Sequence, residues 1–191
     1  VAKALDFAAR KHRDQRRKGR AAEPYINHLT EVARIVAEAT DGQDPLSVQG
    51  ALLHDTVEDT KTTADELERE FGAQLSKLVV EVTDDKRLPK AERKRLQVEQ
   101  APHKSERARM IKIADKISNL RSILSSPPVD WDVERQAEYF EWAKRVVDGC
   151  RGVNPRLDAQ FDEVYGAGRA TIRERRSAGA GPGLPLGDSG S

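Results

Sequence analysis

The stretch "ALLHDTVEDT", residues 51–60, sets His54, Asp55, Glu58 and Asp59 directly behind an apolar run. Read as helix, positions three and four apart share a face, so Glu58 lies over His54 and Asp55, and Asp59 over Asp55. One imidazole and three carboxylates then crowd a single patch. Such groups repel and desolvate one another unless a cation, a substrate or water satisfies them, so the patch is either a solvated surface or a metal site.

Working outward, "DGQDP" at 41–45 is a turn, and Pro45 suits the first position of the helix that carries the quoted stretch. Upstream, residues 1–14 have helical spacing and "GRAAEP" at 19–24 ends them. A second helix runs from about Tyr25 to Thr40 on the stripe Ile26, Leu29, Val32, Ala33, Val36 and Ala37. Downstream, Thr62 or Thr63 caps a short helix through Phe71, Gly72 closes it, and residues 73–83 repeat the pattern. Residues 89–99, "PKAERKRLQVE", form a strongly basic helix with Pro at its start.

A further helix begins near Ser105, with Met110, Ile113, Ala114, Ile117, Leu120 and Leu124 as its apolar face. Lys112, Asp115 and Asn119 share another face. Helices near 131–149 and 155–173 follow. No alternating strand pattern, Asn-Gly hairpin or fixed repeat interrupts them, so the expected fold is all-α. The segment 177–191, rich in Gly, Ser and Pro, is expected to be a disordered tail.

At 191 residues, with 34% charged and 37% apolar side chains, the chain has the composition of one ordinary globular domain with solvated outer faces. No apolar run approaches the roughly 20 residues of a membrane helix, and the first residues do not read as a signal peptide; a cytoplasmic location is the expectation. The single Cys150 excludes an internal disulfide framework and a thiolate zinc site; it reads as a small buried side chain, and any metal falls to His, Asp and Glu. The net charge of +1 hides a cationic block, "RKHRDQRRKGR" at 10–20, and an acidic segment at 54–70. A local positive patch invites an anionic ligand, although a charge run is also an ordinary solvated face.

Three separate helices offer metal-ligand types: His28 after "EPYIN", the pair His54-Asp55, and Asp115 in "KIADKISNL". Each alone reads more simply as a hydrogen-bonded or solvent-facing side chain. The order H…HD…D, with its flanks, resembles the HD superfamily of metal-dependent phosphohydrolases. "RRKGRAAEPYINH", "ALLHDTVEDT", "FGAQLSKLVVEVTDDK" and "IKIADKISNLR" narrow it: the chain resembles the hydrolase domain of the RelA/SpoT family, and most of all its stand-alone small alarmone hydrolases. It departs at His28-Leu29, where that family commonly has Pro after the His.

The resemblance implies an HD-type bundle of roughly eight to ten helices over residues 1–176. It implies that His28, His54, Asp55 and Asp115 hold one divalent ion, with manganese taken from the family; by ligand type alone Zn2+ and Fe2+ fit nearly as well. Glu58 and Asp59 would then hold the attacking water or move its proton. Arg17 and Lys18 match the family's substrate loop, and Asn119 is placed to hydrogen-bond ribose or phosphate. Lys90 and Tyr139 are weaker candidates, the first as surface charge and the second as core. His12 reads as structural.

The implied reaction is hydrolysis of the 3′-pyrophosphate of (p)ppGpp to GDP or GTP and pyrophosphate, ending alarmone signalling. With no synthetase or regulatory segment in the sequence read, the expected activity is constitutive hydrolysis of a small-molecule nucleotide. One rival is an HD phosphohydrolase acting on the NADPH 2′-phosphate or another nucleotide, which pocket shape would separate. The other is a non-catalytic nucleotide or RNA sensor using the basic loop, whose binding would survive chelation.

Overall fold

In the computed structural model, residues 1–179 are described. Among them the secondary structure is ten α-helices and one 3-10 turn: α1 Ala2–Lys11, α2 Ile26–Ala39, α3 Pro45–Leu53, α4 Thr56–Asp59, α5 Ala64–Phe71, α6 Ala73–Val82, α7 Lys90–Gln100, the turn Ala101–His103, α8 Glu106–Ser125, α9 Val133–Cys150 and α10 Pro155–Gly179. The all-α expectation holds. Its nearest approach to strand among the described residues is a pair of isolated bridges, Arg16 with Pro24 and Gly19 with Pro128. No helix among them is long and apolar enough to cross a membrane.

Local chemistry sets the helix starts. Asp44 accepts the Ser47 amide ahead of Pro45, Thr63 accepts the Glu66 amide, and Ser105 accepts the Ala108 amide, each relieving an amide that the first turn leaves unpaired. Gly72, at φ 89°, sits in the left-handed region that ends α5 and starts α6.

The core is organised around α8, which packs against α2, α3, α6, α9 and α10. Ile111, Ile113, Ala114, Ile117 and Leu120 are fully buried along it. Burial is nearly all-round, so α8 also takes Lys112, Asp115, Lys116 and Ser118 inside, and its expected apolar stripe is only part of what it buries. Leu124, expected in that stripe, is only partly buried near the helix's C-terminal end. Over its middle turns, where five other helices enclose it, α8 has no solvent face on which to leave its charges. Between α9 and α10 the contact is set by Gly168, where an added Cβ would lie 2.0 Å from Phe140.

Three boundaries differ from the sequence reading. The first helix stops at Lys11 instead of residue 14, and the last continues to Gly179, so residues 177–179 of the expected tail are helical while 180–191 lie outside the described residues. The quoted stretch is two helices with a break at His54-Asp55. His54 Nδ1 bonds the Ala51 carbonyl at 2.8 Å, the acceptor that a continuing helix would offer to the Asp55 amide. Below the break the spacing recovers, with the Asp59 amide on the Asp55 carbonyl at 2.8 Å.

Candidate metal centre and adjoining cleft

The break at His54-Asp55 has a geometric effect. Neighbours on one helix point about 100° apart, whereas here consecutive side chains turn to the same point. Asp55 Oδ2 lies 3.0 Å from His54 Nε2 and 3.7 Å from His28 Nε2. From α8, Asp115 Oδ1 lies 3.2 Å from His28 Nε2 and 3.8 Å from His54 Nε2. His28, His54 and Asp115 are all buried and bring ligand atoms within 4.8 Å of one another. Asp55 stands just outside that mutual trio, its Oδ2 taking the Tyr25 hydroxyl at 2.6 Å.

Both imidazoles present the correct nitrogen. His28 Nδ1 faces Ser118 Oγ at 2.8 Å, and Ser118 spends its own proton on Glu31 Oε2 at 2.7 Å, so Ser118 must accept from His28. Glu31 is paired with Arg121 at 3.3 Å. His54 Nδ1 donates to the Ala51 carbonyl, which can only accept. With both Nδ1 atoms protonated, both Nε2 lone pairs point inward. That is the outer support that metal-binding histidines use to fix tautomer and ring angle.

His54 Nε2 is buried with no hydrogen-bond partner, despite its nearness to Asp55. A lone pair that cannot be reached by a donor, beside carboxylates, fits a cation. A nitrogen and oxygen donor set with no sulfur suits a divalent ion of borderline hardness.

Without that ion the charges settle among themselves. Burial pushes both imidazoles down; for His28 it prevails, whereas the carboxylates of Asp55 and Asp115 hold His54 up at about 10. Asp115, though buried, is kept well below the usual carboxylate range by Lys116 and the two imidazoles. Lys116 is itself 3% exposed, donates to Asp115 Oδ2 at 2.8 Å, and lies 4.5 Å from the centre of the Trp142 ring. Asn119 donates to Asp115 Oδ1 at 2.6 Å and accepts from Arg17 at 3.3 Å.

A cleft of about 710 Å³ adjoins the centre. Its lining includes Tyr25 and Asn119, which touch Asp55 and Asp115, so they form the floor between cleft and metal centre. Arg16, Arg17, Lys18, Lys86, Lys90, Lys94 and Arg135 face it against only two carboxylates, Asp59 and Glu138, a strong field for an anion. The aromatic rings of Trp131 and Tyr139, 5.4 Å apart, form part of the wall. Thus Arg17, Lys18, Lys90, Asn119 and Tyr139 all reach one cavity. Tyr139 is half-buried, and its hydroxyl is pushed up to about 12 by burial.

Glu58 and Asp59 part ways. Asp59 lines the cleft, held by Gln15 at 2.9 Å and by an ion pair with Lys86. Glu58 turns toward α7, accepting the Asp84 amide at 3.1 Å with Arg93 at 3.7 Å. Burial, reinforced by the Asp55 and Asp84 carboxylates, raises its pKa. Cys150 is buried as expected, and His12 is buried too.

Sequence reasoning passed over Gln15, Tyr25, Glu31, Lys86, Lys116 and Ser118. Two had a usable signal: Tyr25 lies three residues before His28, and Ser118 three after Asp115, each on its ligand's helical face. The others act across 27 to 87 residues of sequence, except Lys116, whose pairing with the adjacent Asp115 is set by burial that the sequence does not display.

A helical bundle that turns two bare imidazole nitrogens and an aspartate toward one point, beside a cationic cleft, defines a His-Asp metal-centre domain. Residues 4–140 match the HD domain family. The chain belongs to that family, in the branch that holds the MESH1 proteins. It is 56% identical over 162 residues to guanosine-3′,5′-bis(diphosphate) 3′-pyrophosphohydrolase MESH1 of Homo sapiens, spanning 85% of this chain and 90% of that protein. It is 47% identical over 161 residues to the protein of the same name from Drosophila melanogaster, with 84% and 90% covered. Its fold matches a solved structure of a metazoan ortholog of SpoT, described as hydrolysing ppGpp and playing a role in starvation responses. The TM-score is 0.84 at 46% identity, over 87% of this chain and 96% of that one.

Proposed function

We propose that this protein removes the 3′-pyrophosphate of (p)ppGpp as a divalent-metal hydrolase. The observation that carries the reading is the meeting of two inward Nε2 atoms and the Asp115 carboxylate beside a cleft with seven cationic side chains. The names of the MESH1 relatives and of the SpoT ortholog supply the substrate. The domain assigned to this activity is residues 1–176, and the activity is placed in the cytoplasm.

His28, His54, Asp55 and Asp115 would hold the ion, with manganese the one put forward. When bound, it supplies Lewis-acid polarisation of phosphoryl oxygen and activation of water. The chain's own groups do the rest. Glu58, its carboxyl pushed up by burial, is suited to take a proton from water and return it to the leaving oxygen. Asp59, held at both oxygens, orients the water. Arg17, Lys18 and Lys90 meet phosphates, Asn119 fixes the ribose, and Tyr139 packs against the nucleoside.

Purified protein with Mn2+ is incubated in parallel with ppGpp, NADPH and a nucleoside monophosphate, and products are separated by anion exchange. Release of pyrophosphate from ppGpp, abolished by chelation, is expected. Phosphate released from NADPH with ppGpp left intact would replace the substrate. No turnover, with chelation-resistant nucleotide binding, would point to the sensor.

A further inference from the structure

His12 closes α1 with 2% exposure and has no part in the chemistry described so far. Its Nδ1 lies 2.6 Å from Gln15 Oε1, while Gln15 Nε2 donates to Asp59 Oδ2 at 2.9 Å. An ionised carboxylate only accepts, so Gln15 must turn its nitrogen to Asp59 and its oxygen to His12. That orientation demands a proton on His12 Nδ1. The same imidazole stacks on Tyr25, with centroids 5.3 Å and planes 23° apart, and the Tyr25 hydroxyl donates to Asp55 Oδ2 at 2.6 Å. One buried ring therefore supports two residues, each gripping a different carboxylate of the site.

Packing alone does not account for an imidazole here. His12 Nε2 is buried without a partner, a cost that an apolar ring of similar size would avoid. The Nδ1 contact to Gln15 is what an apolar ring could not supply. Lys86 holds the other oxygen of Asp59, but its side chain is 48% exposed. The Gln15 side is thus the more sheltered of the two restraints on that carboxylate.

We propose that His12 is a positioning residue for the hydrolysis, acting through Gln15 to aim the Asp59 carboxylate into the cleft. The inference rests on the role given to Asp59 under the proposed function.

A double-mutant cycle on ppGpp hydrolysis tests it, with thermal melts alongside. His12→Phe keeps a ring against Tyr25 and removes the donor; Gln15→Leu removes both amide contacts. Each should lower kcat about tenfold or more, the scale of outer-shell supports, with KM changed less than about twofold. The double variant should be no slower than either single one, because both cut the same chain of contacts. His12→Asn, whose amide can take the place of Nδ1–H, should recover most of kcat. Losses that multiply in the double variant overturn the proposal. So does wild-type kcat in Gln15→Leu, even where His12→Phe fails to fold.

Ring-nitrogen NMR reads the same contact without turnover. His12 should carry its proton on Nδ1, and that proton should exchange faster with solvent in Gln15→Leu. A ring protonated at Nε2 alone overturns the proposal. Wild-type protein that releases no pyrophosphate from ppGpp, yet shows the Nδ1 proton and its faster exchange, would instead sink the functional reading and leave the His12 contact standing.

Discussion

Helices α7 and α8 are both dense in charge, and they handle it in opposite ways. α7 buries no residue; its Arg95 lies along its own helix against Glu92 and Glu99, at 3.0 and 2.6 Å. Exposed pairs of that kind gain little, because water screens them and two long side chains must be held in one geometry. α8 takes Lys112, Asp115 and Lys116 into the interior, where each ion costs several kcal/mol unless it is paired. Charge on α7 is mostly solubility and field, with Lys90 and Lys94 facing the cleft. Charge on α8 is held against a steep penalty, and it is found where the ligand atoms converge.

Removing the α8 carboxylate should be the most severe break. Asp115→Ala should lose the bound cation by elemental analysis and lower hydrolysis more than about a thousandfold, roughly 4 kcal/mol of barrier. Normal turnover in that variant would remove Asp115 from the ligand set.

Next comes Glu58, which ties α4 to α7 through Arg93. Glu58→Gln should retain the cation yet slow kcat by about a hundredfold, within the usual range for a proton-transfer group. Its stability effect has a definite sign. A carboxyl whose folded pKa is raised above its ordinary value of 4.5 favours the fold below that value and loses this contribution as pH rises through the raised one. In metal-stripped protein, Glu58→Gln should therefore melt higher than wild type at pH 7, and the gain should vanish on acidification below about pH 4. A gain independent of pH would contradict the burial argument.

Lys116→Met sharpens the contrast at intermediate size. It takes the lysine partner from the buried Asp115 carboxylate and should destabilise the cation-free protein by about 3 kcal/mol, read by denaturant titration. Arg95→Ala, the matching change on α7, should leave the denaturation midpoint and kcat essentially unchanged. A large effect there would erase the distinction between the two helices.

Helix starts at Pro45, Thr63 and Ser105 were legible in the sequence because capping is local: one side chain and an amide two or three residues on. The break at His54-Asp55 was not. It depends on an imidazole reaching back to the Ala51 carbonyl, a choice that helical periodicity does not encode. The convergence of His28, His54 and Asp115 came from family likeness, since no spacing rule joins residues 61 positions apart. Asp59 and Glu58 looked equivalent as neighbours; only tertiary surroundings send one to the cleft and the other toward α7. The all-round burial of α8 was hidden by its polar content, which reads as amphipathic until five neighbouring helices enclose it.

Gly19 stitches the loop bearing Arg17 and Lys18 to the one following α8. A Cβ there would fall 2.4 Å from the Ser126 carbonyl oxygen. At this stitch the two lips of the cleft are spaced by main chain against main chain, a gauge that side-chain rotation cannot widen. Any residue larger than glycine at this point would pry the lips apart and change the mouth's calibre without touching a single group that meets the nucleotide.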